Sequence, residues 1–387
     1  MRASADRILT THVGALPAPP DLLDVSQVSD ARLRETVGQV VRFQKDARVD
    51  IINEGELTKS GNWVTFFNDR LKGFRPKEGS SSVEILFESK DWVDFADFYK
   101  VALSGGSLFE QTATAPIQTR ALDWECVGPI SYCGQADLQR EIDTFKGALD
   151  GGAPADAFLT STAPASIEPG RDNGYYKTQE EYVFAIAEAM RVEYEMIAGS
   201  GFLLQVDDAW LAALWDRIGI PMGLQGYKRY CQMRVEALNH ALRNIPPEQV
   251  RYHLCWGSWH GPHSQDIEMP DIVDILLSIN AQTYLFEAAN VRHEHEYTVW
   301  ERVKLPDDKI LAPGVVSHST TLIEHPELVS TRIQRFANLV GRERVIASTD
   351  CGLGLRCHPQ IAWAKLKALS DGAALASKTL WGRRSAA

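Results

Sequence analysis

Short apolar runs rich in β-branched residues recur along the chain, each followed by a segment with helical periodicity. Thr178 with Glu181 three residues later forms a capping box, and Tyr182, Ala185, Ile186, Ala189, Met190 and Ile197 then fall largely on one helical face. Gly199 and Gly201 are expected to stop that helix, and 202–207 reads as a buried strand. The pattern begins again at Pro326, a favoured first helical residue. Ile333, Phe336, Leu339 and Val340 follow, Gly341 ends the helix, and 345–349 is again a strand. Eight strands are expected in all, near 8–13, 49–53, 157–162, 202–207, 252–255, 283–287, 310–315 and 345–350. Strands alternating with helices predict a parallel sheet, and eight such units predict a single α/β domain over residues 1–387, a (β/α)8 TIM barrel. A doubly wound open sheet is the alternative, but no G-x-G-x-x-G loop follows the first strand.

The stretch between the second and third strands, about residues 57–150, is too long for one crossover. It holds Trp63, Phe66, Phe67, Phe74, Trp92, Phe95 and Phe98, with an extra strand expected at 126–130. It reads as an insertion over one end of the barrel, and both an aromatic satellite core (or dimer surface) and a substrate lid stay open for it.

Composition narrows the partners. Of 387 residues, 44% are apolar and 24% charged, and 51 acidic against 40 basic residues leave a formal charge of −11. No Lys/Arg run interleaves with aromatics, so a nucleic-acid partner is not expected. No run approaches the roughly 18 apolar residues of a membrane span, and no secretory signal is visible, so a cytoplasmic protein is the expectation. Six cysteines in a chain this long read as thiols, ligands or catalytic groups rather than a disulfide framework.

Two of those cysteines have informative neighbours. His253 and Cys255 sit two apart at the end of an expected strand and so face the same side. Alone, such a pair is more often a packed cysteine beside a hydrogen-bonded histidine. Position adds weight: Glu287 ends the next strand and Cys351 the last one, and in a barrel the C-terminal strand ends converge on one face. Imidazole, two thiolates and a carboxylate suit a tetrahedral zinc ion. Cys126, Cys133, Cys231 and Cys357 have no ligand-like spacing.

With these residues in view, the chain resembles the catalytic barrel of cobalamin-independent methionine synthase and the related single-barrel epoxyalkane:coenzyme M transferases. The matching segments are Thr10-Thr11-His12-Val13-Gly14-Ala15-Leu16-Pro17, Asn53-Glu54-Gly55-Glu56, Gln205-Val206-Asp207-Asp208, His253-Leu254-Cys255, Phe286-Glu287, Pro313-Gly314-Val315 and Asp350-Cys351-Gly352. The resemblance implies that His253, Cys255, Glu287 and Cys351 bind Zn2+. It implies that Glu56 and Asp207 hold the amino group of an aminothiol such as homocysteine. His12, Gly14 and Ala15 fall in the segment that lines the substrate, and His318 stands where the family carries a histidine, here a candidate proton donor. Asp350 is a candidate partner for a zinc-bound histidine, and His260, His263, His293 and His295 read as surface or supporting groups. Ala15 replaces the family's serine, whose hydroxyl helps hold the homocysteine carboxylate, and Asp208-Ala209 replaces the usual E-P. The family's other half, which helps bind polyglutamyl folate, has no counterpart, so a smaller donor, a corrinoid or an epoxide is easier to accommodate.

The function expected is zinc-dependent transfer of a methyl group to a thiol, with thiol addition to an epoxide and a non-catalytic protein holding a structural zinc as alternatives. A zinc-free barrel of the uroporphyrinogen decarboxylase type would leave the H-x-C and D-C-G residues unexplained. The partners implied are a small-molecule thiol and a methyl or alkyl donor, with a homo-oligomer left open.

Overall fold

The computed structural model describes residues 1–22, 28–59, 66–77, 89–104, 123–149, 156–354 and 356–382. Trp63 lies outside them. Among the described residues there are eleven strands: β1 Leu9–Thr10, β2 Ile51–Ile52, β3 Leu71–Pro76, β4 Trp124–Tyr132, β5 Asp156–Thr162, β6 Arg171–Asn173, β7 Leu203–Asp208, β8 Val250–Leu254, β9 Thr283–Phe286, β10 Ile310–Val316 and β11 Ile346–Thr349. Eight of them form one parallel sheet in the order β1-β11-β10-β9-β8-β7-β5-β2. The two outer strands are short, and hydrogen bonds bridge them: the Asp50 amide donates to the Thr10 carbonyl at 3.2 Å and the Thr11 hydroxyl to the Ile51 carbonyl at 3.0 Å. The sheet is a (β/α)8 barrel, as the alternation predicts.

The eight strands lie where periodicity places them, because each is a buried run with helices packed outside it. A separate apolar cluster, Leu9, Val13, Ile51, Phe158, Leu203, Leu285, Ile310, Ala312 and Ile346, fills the barrel interior toward the N-terminal strand ends. β8 contributes no apolar residue to it; there the Arg251 guanidinium lies 3.8 Å over the Phe158 ring. Thr178 caps the helix Gln179–Gly199 by accepting from the Glu181 amide at 3.1 Å, as its sequence predicts. That helix ends at Gly199, with Ser200 as its C-cap and Gly201 at φ 91° just beyond, as the two glycines predict. The helix Pro326–Val340 does end at Gly341, whose φ is 94°.

The inserted region reaches two places. β4 pairs antiparallel with β3 and parallel with β6, so the extra sheet recruits residues beyond the expected boundary at about 150. This sheet packs on the flank of the helix Gln179–Gly199. The helices Lys90–Asp94 and Ala96–Ser104 go instead to the loops at the C-terminal strand ends, where Asp91 accepts from the Ser264 amide at 3.0 Å and its own amide donates to Asp216. No helix among the described residues is long and apolar enough to cross a membrane.

Candidate metal centre and thiol site

Three side chains converge beyond the ends of β8 and β11. A ring nitrogen of His253 and the sulfurs of Cys255 and Cys351 lie within 4.8 Å of one another, with the two sulfurs 4.0 Å apart. Glu287, one residue past β9, places Oε1 3.8 Å from the Cys255 sulfur. It also belongs to a second group, since its carboxylate, His318 and Asp350 lie within 4.8 Å of one another. Parallel pairing explains the convergence: β8 sits between β7 and β9, and residues at the C-terminal ends of these strands reach one face.

The supporting contacts fit a cation. His253 Nδ1 pairs with Asp207 Oδ1 at 3.0 Å, leaving Nε2 buried without a partner among the described residues. An imidazole held through one nitrogen by a carboxylate, with the other free beside two sulfurs, is the arrangement of a metal-ligating histidine. Burial disfavours the His253 cation, but Asp207 outweighs it and raises the pKa. The hydrogen bond from Cys255 brings the Cys351 thiol down to about 6, while Cys255 is pushed up, so the pair gives up its first proton readily at Cys351. The Gly257 amide points at the Cys255 sulfur at 3.3 Å. Burial pushes Glu287 up to about 8; its Oε1 accepts from the Trp256 amide at 3.1 Å and its Oε2 from the Asn290 side chain at 2.6 Å. Two soft sulfurs, an imidazole and a carboxylate suit zinc better than a hard cation such as magnesium.

Asp350 takes a different role from the one its sequence position suggests. Its Oδ1 accepts from the amides of Ala288 and Ala289, both at 2.8 Å, so it fixes the turn after Glu287. The carboxylate that orients His253 is Asp207. Its neighbour Gln205, two residues back on the same face of β7, donates to Asp207 at 2.7 Å. That support was readable in principle from the Q-x-D spacing, but its target was not, because the partner histidine lies 46 residues away.

Glu56 and Asp207 face one another electrostatically across the mouth. Burial, with the nearby charges of Asp207 and Glu54, raises Glu56 to about 8. Its backbone has φ 57°, uncommon for a residue with a side chain, so the surrounding structure imposes this conformation. Gly14 is required here: its φ is 147°, and a Cβ would fall 2.1 Å from Glu56 Oε1. Ala15 is tied to the loop after β11, its carbonyl accepting from the amides of Leu353 and Gly354 at 2.9 Å.

The histidines divide sharply. His12 is buried against Phe158, with Nε2 2.8 Å from Gln44 Oε1, and burial pushes its pKa to about 3. His318 is buried with Nδ1 unpartnered among the described residues, and burial with the charge of Arg356 pushes its pKa well below 6.5. It is therefore a neutral ring. His263 and His293 are not surface groups: both bond to Asp266, and His293 also bonds Glu296 at 2.8 Å. Burial opposes the charge of His293, but those two carboxylates raise it to about 10. His295 is exposed.

Residues 170–374, more than half the chain, match the family described as cobalamin-independent synthase, catalytic domain. The chain belongs to that family. Among its relatives is a methionine synthase of Saccharolobus solfataricus, 24% identical over 379 residues that cover 94% of this chain and 93% of the relative. A methionine synthase of Sulfolobus acidocaldarius is 21% identical over 360 residues, covering 89% and 86%. The fold is shared with the solved B12-independent methionine synthase of Shewanella sp. W3-18-1 in complex with selenomethionine, with TM-score 0.70, 17% identity and coverage of 97% and 99%. A putative vitamin-B12-independent methionine synthase of Listeria monocytogenes has TM-score 0.63 at 16% identity. This cobalamin-independent synthase domain thus aligns over nearly the full length of both of its named relatives.

Proposed function

We propose that this protein is a zinc-dependent S-methyltransferase acting on homocysteine or a similar aminothiol. The convergence of His253, Cys255 and Cys351 at the barrel mouth, with Glu287 against Cys255, carries the reading. Family membership and relatives named methionine synthase support methyl transfer. Zinc, when bound, supplies a Lewis acid that holds the substrate thiol as thiolate at neutral pH.

The chain's own residues do the rest. Cys255 and Cys351 are the thiolate ligands, and Asp207 holds the His253 ring so that Nε2 is presented to the cation. Glu287 is the weakest ligand of the four, because its oxygens are shared with the Trp256 amide and Asn290. Of the four residues that would hold zinc, it is the one that would be exchanged most readily for a substrate sulfur. Glu56 and the free oxygen of Asp207 receive the substrate ammonium; a cation between them offsets the burial, and the lesser repulsion from Asp207, that raise Glu56. Neutral His318 offers a hydrogen bond to the departing group rather than a proton from an imidazolium. The enclosed His12 shapes the floor against Phe158.

X-ray absorption at the zinc edge, with and without homocysteine, tests the reading. A sulfur added to the shell, with loss of an oxygen, is the expected result. An unchanged four-ligand shell identifies a structural zinc and ends the proposal. Thiol entry followed by consumption of an epoxide, with no methyl transfer, shifts the reaction to alkyl addition.

A further inference from the structure

Arg217 lies in a π-helical turn, Trp215–Gly219, just after β7. Its guanidinium rests over the indole of Trp210, 4.8 Å from the ring centroid, and over that of Trp259 at 5.5 Å. Nε and Nη1 are buried and have no hydrogen-bond acceptor among the described residues. Other buried guanidiniums here have carboxylate or carbonyl partners: Arg70 with Glu141 and Glu193, Arg234 with Glu168, Arg332 with Glu294. The acceptors nearest Arg217 in sequence or charge are already committed. Asp216 accepts from the Asp91 amide at 3.2 Å, and the Tyr99 hydroxyl accepts from the Trp259 indole at 3.3 Å. A buried cation that stacks on two rings but lacks an acceptor is costly to keep, unless a ligand supplies one.

Trp259 links this guanidinium to the metal centre. Its ring packs on Gly257, where φ is 97° and a Cβ would fall 1.8 Å from the indole, and the Gly257 amide points at the Cys255 sulfur. Arg217 thus lies on the β7–β8 side of the mouth, whereas Glu56 lies on the β1–β2 side over Gly14. The thiol's amino end is held between Glu56 and Asp207 of β7, and Arg217, in the turn beyond that strand, serves neither carboxylate and is left for the other substrate.

We propose that Arg217, in contact with the rings of Trp210 and Trp259, is the specificity residue that receives an anionic group, carboxylate or phosphate, of the methyl donor. Arg suits this task because its planar donors match an oxyanion while its faces stack on indole. Naming the donor rests on the thiol-transfer reading; the anion site itself does not.

The test uses the full-length zinc-loaded protein, titrated with inorganic phosphate and, separately, with succinate at constant ionic strength, following tryptophan fluorescence. A saturable response in the wild type is expected, weakened about tenfold or more in Arg217→Met and less in Arg217→Lys, with zinc content and melting temperature kept. Preference for phosphate or for succinate assigns the class of anion. No saturable response to either, or equal binding in both variants and wild type, overturns the inference; Arg217→Lys decides if Arg217→Met does not fold. In turnover, KM for the donor rises while KM for the thiol stays. If zinc-edge data show no thiol entry but the anion response depends on Arg217, the thiol-transfer reading falls and the anion site stands.

Discussion

Two buried charged clusters share this barrel and differ in one respect. On the flank, Lys59, Arg70, Glu141 and Glu193 are matched charge for charge. Lys59 meets Glu141 at 3.1 Å, Arg70 bridges Glu141 at 3.0 Å and Glu193 at 3.1 Å, and Glu193 also accepts from Tyr132 and Ser161 at 2.6 Å. At the mouth, His253 Nε2, His318 Nδ1 and Asp350 Oδ2 are equally buried and lack partners among the described residues. Burial has a desolvation cost in both places, and these four flank groups offset it within the chain, although Glu54, 3.7 Å from Lys59, has no hydrogen-bond partner on either oxygen among the described residues. The first cluster fastens the inserted sheet to the helix Gln179–Gly199, and the second leaves buried polar atoms open at the mouth. Between these two sets of residues, pairing more than burial separates flank from mouth.

The contrast can be broken most forcefully at the sulfurs. Cys255→Ala or Cys351→Ala is expected to abolish both zinc binding and activity while the barrel still folds, checked by metal analysis and circular dichroism. Stoichiometric zinc in the double variant defeats the assignment. On the flank the effect should be the reverse: Arg70→Met strands two buried carboxylates and costs about 3–5 kcal/mol of stability in urea unfolding, with zinc per folded molecule unchanged. A loss of zinc parallel to the loss of stability would merge the two clusters into one.

Asp207→Asn probes the boundary between them, since this carboxylate supports His253 and, on the proposed function, also faces the thiol substrate. Zinc affinity should fall about 10- to 100-fold in chelator competition, with little change in melting temperature. The most gradual effect is in pH. His293 has a folded pKa of about 10 against an ordinary 6.5, so its contribution is fully present below about pH 6.5 and is lost as pH rises toward 10. Stability of the metal-free protein should decline across that window, and His293→Gln should flatten the decline; an unaltered slope removes His293 as its source.

Much of the scaffold was legible beforehand. A run such as Phe202 to Asp207 must be a buried strand in almost any context, and the capping box at Thr178 acts within one helical turn. The ends were less so: β1 and β2 shrink to two residues each, because pairing and not propensity sets strand limits. Within the site, His253, Cys255 and Cys351 stood out because few residue types bind metals and strand ends of a barrel converge. Asp350 was misread as the histidine's partner because adjacency to Cys351 in sequence does not set the direction of its side chain; its oxygen turns to the amides of Ala288 and Ala289. Arg217 went unnoticed, being one arginine among many until its missing acceptor could be seen.

The amino-acid sequence alone determined the barrel and its chemical class, because periodicity, caps and ligand types act locally or through strand alternation. Which carboxylate steadies which histidine, which buried charges are paired, and which cation waits between two indoles were decided only in three dimensions. Those are relations between side chains tens to hundreds of residues apart, and only the closed sheet sets their distances.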